Sequence, residues 1–251
     1  MTIFLPKPVA ITPLNFYIWN MMLSNTSYDD SLWLLQGLRF GFDIGLKNPS
    51  LKSASRNCLS AFKQPQIIDK YIQDEIDFGT MLGPLDVFSN PDFHINRFGI
   101  IPKSSPGKFR LITDLSFPHG SSINDFIPDS QAEVTYAGIP EAINLIMRLG
   151  KGALIAKFDI RRAYRLLPVK SQQCHLLGMQ WRGKFYVDLA LPFGLRSAPK
   201  IFTRFADSLQ FLFEKEVLVQ HVQHYLDDFF LAGPPASSIC ERNLEACFFT
   251  L

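Results

Sequence analysis

Apolar residues recur at helical spacing in several stretches separated by shorter runs of β-type alternation. The spacing predicts helices over 31–40, 66–81 and 138–149, another opening at Pro199, and a last one over 237–251. Punctuation agrees: Asp29 or Ser31 can cap the first, Gly41 ends it, Gly79 or Gly83 ends the second, and Pro140 and Gly150 bracket the third. In the helix after Pro199, which Ser197 can cap, the apolar face is Ile201, Phe202, Phe205, Leu209, Leu212 and Phe213, a stripe that reads as core. Residues 98–114 read as strand, tight turn and strand, with Ser104-Ser105-Pro106-Gly107 at the turn. The run 153–158 is a strand that delivers Asp159, and 178–190 is a hairpin turning at Arg182-Gly183-Lys184. Near the end, Gln223-His224-Tyr225-Leu226-Asp227-Asp228-Phe229-Phe230-Leu231 reads as a hairpin with two adjacent acids at its tip.

These elements make an α+β chain, with residues 1–93 as a helical extension or support and 94–251 carrying the mixed part. Gly41-Phe42-Asp43-Ile44-Gly45 reads as a turn, and no Lys-Ser/Thr follows it as a phosphate loop requires. With 47% apolar and 19% charged residues, the chain is globular in composition. The net charge of +2 hides an asymmetry: between Arg97 and Arg204 there are 16 Lys/Arg against 7 Asp/Glu, and elsewhere 9 against 16. A basic middle between acidic flanks fits a polyanionic partner. Cys58, Cys174, Cys240 and Cys247 form no CxxC pair, which argues against a zinc site or disulfide framework and for an intracellular protein, cytoplasmic or nuclear. His221 and His224 fall on opposite faces of one strand and make poor co-ligands. The start of the chain carries Pro6, Pro8 and Pro13 and no basic leader, and no run approaches the roughly 20 apolar residues of a membrane helix, so no membrane partner is expected.

Three carboxylates carry the candidate chemistry. Asp227 and Asp228 cost each other roughly 3–4 kcal/mol a few ångströms apart at an effective dielectric near 20, and a divalent cation reverses that sign. Taken alone, an Asp-Asp turn is also an ordinary solvated turn. Asp159, at the end of a second strand, adds a third acid, with Tyr164 five residues on to wall a small pocket. Lys103, Lys108 and Arg110 near the first hairpin's tip can be solvated or can lie along a polyphosphate. The loop 191–199 places Phe193 and backbone N–H groups at a helix N-terminus, which suits stacking beside an anionic ligand.

In order, Phe158-Asp159 with Tyr164, Leu191-Pro192-Phe193-Gly194-Leu195 before Ser197-Ala198-Pro199, and Tyr225-Leu226-Asp227-Asp228 resemble the boxes of reverse transcriptases. The resemblance is to retrotransposon enzymes, most like DIRS-type elements associated with a tyrosine recombinase, and it covers roughly residues 95–233. It implies a fingers–palm polymerase core whose antiparallel palm sheet is backed by helices. It also implies two Mg²⁺ ions, or Mn²⁺, held by Asp159 and Asp227 with Asp228 assisting, about 3.5–4 Å apart as in two-metal sites. Further implied roles are a triphosphate cradle of the 160–163 backbone with Lys103, Lys108 and Arg110, a dNTP-selecting ring at Tyr164, and nucleotide packing by Phe193 and Gly194. The partners are a primer–template of RNA or DNA and a dNTP.

The sequence stops 23 residues after Asp228. The resemblance therefore implies a truncated core whose thumb, RNase H and recombinase segments, if it works with them, lie elsewhere. A catalytically inactive remnant that binds nucleic acid or a protein is the alternative from another class. A metal-dependent nuclease is a third reading, disfavoured because it has no use for a dNTP pocket around Tyr164 and Phe193.

Overall fold

The computed structural model describes the chain apart from residues 1–11, 25, 55, 88, 89, 91, 104–106, 108, 137 and 251 and the side chains of 249 and 250. Its helices are α1 (Phe16–Leu23), α2 (Ser31–Phe40), α3 (Leu59–Lys63), α4 (Pro65–Asp77), α5 (Ile139–Leu149), α6 (Ser171–Cys174), α7 (Ala198–Lys215) and α8 (Ile239–Thr250). Its strands are β1 (Met81–Leu85), β2 (Ile95–Pro102), β3 (Phe109–Asp114), β4 (Leu154–Asp159), β5 (Gly178–Trp181), β6 (Lys184–Asp188), β7 (Val222–Tyr225) and β8 (Asp228–Gly233). The α+β class is as expected.

Two compact units form. One gathers residues 12–14, Gln36–Ala132 and Tyr164–Ala198; the other gathers Asn15–Leu35, Glu133–Ala163 and Pro199–Leu251. Residues 15–93 are thus shared between the two, with α1 in the second and α3 and α4 in the first.

The first unit is built on a five-stranded sheet of order β1-β6-β5-β2-β3, antiparallel except for the β2–β5 pair. Pro65 opens α4, and the helix buries Ile68 and Ile72 against Met81, Phe98, Met179 and Trp181. The second helix stops at Asp77, with Gly79, one of its two expected ends, turning the chain at φ 72°, so the stretch on to residue 81 is not helix. Residues Met81–Leu85 are strand instead, and they occupy the sheet edge, where Pro84 need donate no ladder bond. The β5–β6 hairpin turns as expected, with Arg182 at φ 48° and Gly183 at φ 76° supplying the two left-handed positions of its loop. The β2–β3 hairpin pairs from Arg97↔Asp114 to Pro102↔Phe109, and most of its tip lies outside the described residues. The stretch 41–45 is more than a turn. Burial of Phe42 and Ile44 draws it inward, and Phe42 bridges Val169, its N–H donating to the Pro168 carbonyl at 2.7 Å.

The second unit is built on an antiparallel sheet of order β4-β8-β7. Phe158 and Phe229 are cross-strand partners and stack at 5.0 Å with planes 8° apart, while Phe213 of α7 meets Phe229 edge-on at 5.7 Å. Such pairs contribute about 0.5–1.5 kcal/mol each beyond the area they bury. The α7 stripe is core, as its spacing predicts, and Trp19 of α1 packs on its Phe205 at 5.4 Å. In α8, Cys247 is buried, and Phe248 touches Phe158 while remaining mostly exposed. The four cysteines are free thiols. Among the described residues no helix is long and apolar enough to cross a membrane.

Candidate active site

The acids sit where the aromatic core of the second unit meets its surface. In β8 the side chains alternate, so Phe229 points into the core and Asp228 points out. The ladder pairs Tyr225 with Asp228, leaving Leu226 and Asp227 as a two-residue loop with Leu226 at φ 54°. A left-handed leucine is uncommon, and such strain persists where its surroundings over-determine the backbone. Of the two acids placed at the tip, only Asp227 is in the loop; Asp228 belongs to the strand because it closes the ladder with Tyr225.

The same ladder puts Asp159 directly opposite Asp228, and the Ile160 N–H donates to the Asp227 carbonyl at 2.9 Å. Like charges facing each other across a sheet are destabilising. Asp159 is also within hydrogen-bonding reach of the Asp227 carboxyl. Burial pushes the Asp227 carboxyl above the usual carboxylate range, a backbone N–H partly offsets this, and the charges of Asp159 and Asp228 push it further up. Among the described residues, Lys157 eases the crowding. Lys157, two residues before Asp159 and so on the same strand face, places Nζ 3.0 Å from the Asp228 carboxylate.

The donor set suits a hard divalent cation. Among the described residues no three His, Cys, Asp or Glu side chains form a ready cage, and Asp228 is turned toward Lys157. Asp159 and Asp227 remain as a carboxylate pair, which matches Mg²⁺, an ion that keeps several waters and takes one or two carboxylates plus substrate phosphate oxygens.

Behind the loop, His224 is buried and stacks on Phe229 at 5.2 Å. Its Nε2 lies 2.9 Å from Asp207 Oδ1 on α7 and its Nδ1 3.3 Å from the Leu226 carbonyl, so it links the strained loop to the helix. His221 precedes β7 at φ 57° instead of lying on it, and the two histidines do not act together. His224→Phe keeps the stacked ring and loses both polar contacts. The expected result is a fall of about 1 kcal/mol in stability and about tenfold in any activity that depends on the loop, checked by thermal melts beside single-turnover rates.

In the first unit, Tyr164 and Phe193 come together, with ring centroids 5.2 Å apart and planes at 43°. Phe193 is half exposed. Gly194 has φ 102°, and a Cβ there would lie 2.9 Å from the Thr113 carbonyl, so only glycine fits. Part of the loop's backbone, expected to face a ligand, is already engaged within the protein. Asn124 donates to the Gly194 carbonyl at 2.8 Å and accepts from the Arg196 N–H at 2.9 Å, and the Leu195 and Ala198 N–H groups bond within the loop. Ser197 spends its hydroxyl on the Ile44 carbonyl at 2.8 Å. Lys103 and Arg110 are exposed on the β2–β3 hairpin, and Lys108 lies outside the described residues.

Sequence reasoning missed Lys157, His224 and Asn124 as working parts. Period-two spacing before Asp159 could have flagged Lys157, whereas nothing local points to Asn124, whose partners lie about 70 positions away.

The family described as reverse transcriptase (RNA-dependent DNA polymerase) matches residues 101–251, more than half of the chain. The chain belongs to the reverse transcriptases. It is 21% identical over 165 residues to the Retrovirus-related Pol polyprotein from transposon 297 of Drosophila melanogaster, covering 64% of this chain and 14% of that protein. Among solved structures, the native prototype foamy virus protease–reverse transcriptase matches 83% of this chain and 25% of its own, with a TM-score of 0.56 at 22% identity. The selenomethionine-labelled mutant of that enzyme matches 97% of this chain and 32% of its own, with a TM-score of 0.61 at 18% identity. A foamy viral protease–reverse transcriptase in complex with an RNA/DNA hybrid matches 94% of this chain and 31% of its own, with a TM-score of 0.60 at 15% identity. This reverse transcriptase chain therefore spans a seventh of its curated relative's length and a quarter to a third of these structures.

Proposed function

We propose that this chain is the RNA-directed DNA polymerase portion of a retrotransposon Pol protein, most like those of DIRS-type elements, and that it adds dNMP units to a primer 3′-end on an RNA or DNA template. The observation that carries the reading is the β4–β8 register, which opposes Asp159 to Asp228 with Asp227 in the adjoining loop. Like charges opposed across a sheet destabilise it, and perturbed carboxylate clusters of this kind concentrate at functional sites. Divalent metal ions, Mg²⁺ or in its place Mn²⁺, supply when bound the charge that activates a primer hydroxyl and stabilises departing pyrophosphate.

Asp159 and Asp227 hold that charge. Asp228, kept partly neutralised by Lys157, shapes the loop and assists. The backbone of 160–163 with Lys103, Lys108 and Arg110 binds the triphosphate, where catalysis needs positioning and charge more than covalent chemistry. Tyr164 excludes a ribose 2′-hydroxyl, and Phe193 and Gly194 back the nucleotide. Residues 94–251 form the fingers and palm, and 1–93 support them. The protein works inside the cell on a primer–template, with thumb, RNase H or recombinase segments as partners.

The test is primer extension on oligo(dT)–poly(rA) with dTTP and Mg²⁺ or Mn²⁺, comparing the chain with its Asp227→Asn/Asp228→Asn variant. Extension confined to the unaltered chain is the expected result. Equal extension by both chains sinks the roles given to the carboxylates, and nucleic-acid binding without extension, unchanged in the variant, sinks the polymerase reading in favour of a binding remnant.

A further inference from the structure

Directly after Tyr164 the chain buries a charge. Arg165 is 2% exposed, and its guanidinium meets acceptors from four places in the first unit. Nε donates to Glu75 of α4 at 2.9 Å, and one terminal nitrogen donates to the Ala190 carbonyl at 3.0 Å. The other reaches the Thr80 carbonyl at 3.2 Å, Asp188 of β6 at 2.6 Å and Glu75 again at 2.8 Å. A buried ion cluster is a poor source of net stability, since well-packed apolar side chains often do as well or better. This one is costly besides, with two carboxylates against one guanidinium and Asp188 Oδ2 left without a partner. What it provides is geometry. Arg165 fixes the segment after Tyr164 against the segment before Phe193. Those segments pair through Leu191 N–H to the Leu167 carbonyl at 2.9 Å and Val169 N–H to the Leu189 carbonyl at 2.8 Å. The backbone entering the turn is strained, with Arg162 at φ 69° and Ala163 at φ 35°, and needs such an anchor.

We propose that the Glu75–Arg165–Asp188 cluster is a positioning device for nucleotide selection, locking the Tyr164–Phe193 ring pair so that the tyrosine edge stays where a ribose 2′-hydroxyl would otherwise fit. This rests on the polymerase reading above. Arg165 touches no substrate and acts through Tyr164. A planar five-donor fork spans the four acceptors, and a lysine, a point charge on a flexible stem, cannot.

The test uses the full chain and two variants that keep the buried shape, Arg165→Lys and Glu75→Gln, the second serving if the first does not fold. Two readouts are taken: the ratio of dTTP to UTP incorporation, and the ¹⁹F resonance of Tyr164 in 3-fluorotyrosine-labelled protein, assigned among the seven tyrosines by its loss in Tyr164→Phe. The expected result is a discrimination ratio reduced about tenfold, with dTTP turnover changed by less than about threefold, as for a misplaced group outside the chemistry. The Tyr164 resonance shifts or broadens with it. A variant that melts lower with both ratio and resonance unchanged overturns the proposal and leaves the cluster structural. If the unaltered chain extends no primer, the polymerase reading fails by itself. The resonance then decides alone: moved, it supports the lock on the ring pair; unmoved, it overturns it.

Discussion

On the polymerase reading proposed above, Asp227→Asn is expected to abolish primer extension and, without metal, to leave the protein at least as stable as before. Both halves follow from the same crowding. The Asp227 carboxyl is half-buried beside Asp159 and Asp228, and its affinity for a proton is raised by burial first and by those charges next. A carboxyl whose folded pKa is raised stabilises the fold only while protonated, and that contribution is lost as pH rises through the folded value. Once ionised, the group therefore works against folding, and a neutral amide of the same shape removes the repulsion. The same change removes one of the two carboxylates proposed to hold a divalent ion. An ion worth several kcal/mol to the transition state, at tenfold per 1.36 kcal/mol, makes the expected loss in rate roughly 10³-fold or more. The measurement pairs single-turnover extension with melting curves with and without Mg²⁺. The unaltered chain gains melting temperature with Mg²⁺ and the variant does not. Extension by the variant within tenfold of the unaltered chain, or an equal Mg²⁺-dependent gain in both, ends this account of the site.

What could be read from the sequence depends on how far apart in the chain each determinant lies. The β5–β6 turn is local: Arg182-Gly183 takes two left-handed positions, and a glycine after a cation between alternating runs announces it. The α7 stripe and the strand that delivers Asp159 are local too, and the carboxylate cluster follows once two hairpin arms and one strand are placed. Met81–Leu85 was hidden because its apolar residues continue the period of α4, and Gly83-Pro84 reads as an ending when it is an edge strand. Non-local partners were invisible. The parallel β2–β5 pair joins segments some 80 residues apart, Phe42 finds Val169, and Asn124 reaches across 70 positions to hold the Phe193 loop. Arg165 looks from sequence like one more cation in a basic stretch, and only Glu75, 90 positions away, and Asp188 reveal why it is buried.

That burial gives the largest expected loss of stability. Arg165→Met removes the guanidinium that faces two buried carboxylates, so the Ala190 carbonyl and Asp188 lose its donors outright, while the Thr80 carbonyl keeps the Leu189 N–H and Glu75 keeps the Thr80 hydroxyl. Removing one partner of a buried ion cluster costs about 3–5 kcal/mol, because the charges left behind are uncompensated. The pH dependence identifies the cause. In the unaltered chain burial raises the Asp188 carboxyl from its ordinary 3.8 to about 6, against the lowering pull of Arg165 and with Glu75 adding to the rise. Its contribution to stability is therefore complete below pH 3.8 and is lost as pH climbs through about 6. Asp188→Asn should flatten that limb while leaving Glu75 to balance Arg165. In Arg165→Met the lowering pull on Asp188 is gone, so its carboxyl holds its proton to higher pH and the decline extends further up the pH range. Urea unfolding between pH 4 and 8 separates the cases. A loss in Arg165→Met that is the same at pH 5 and pH 8 would mean that the arginine stabilises the unit by packing alone, and that its charge is incidental to the fold.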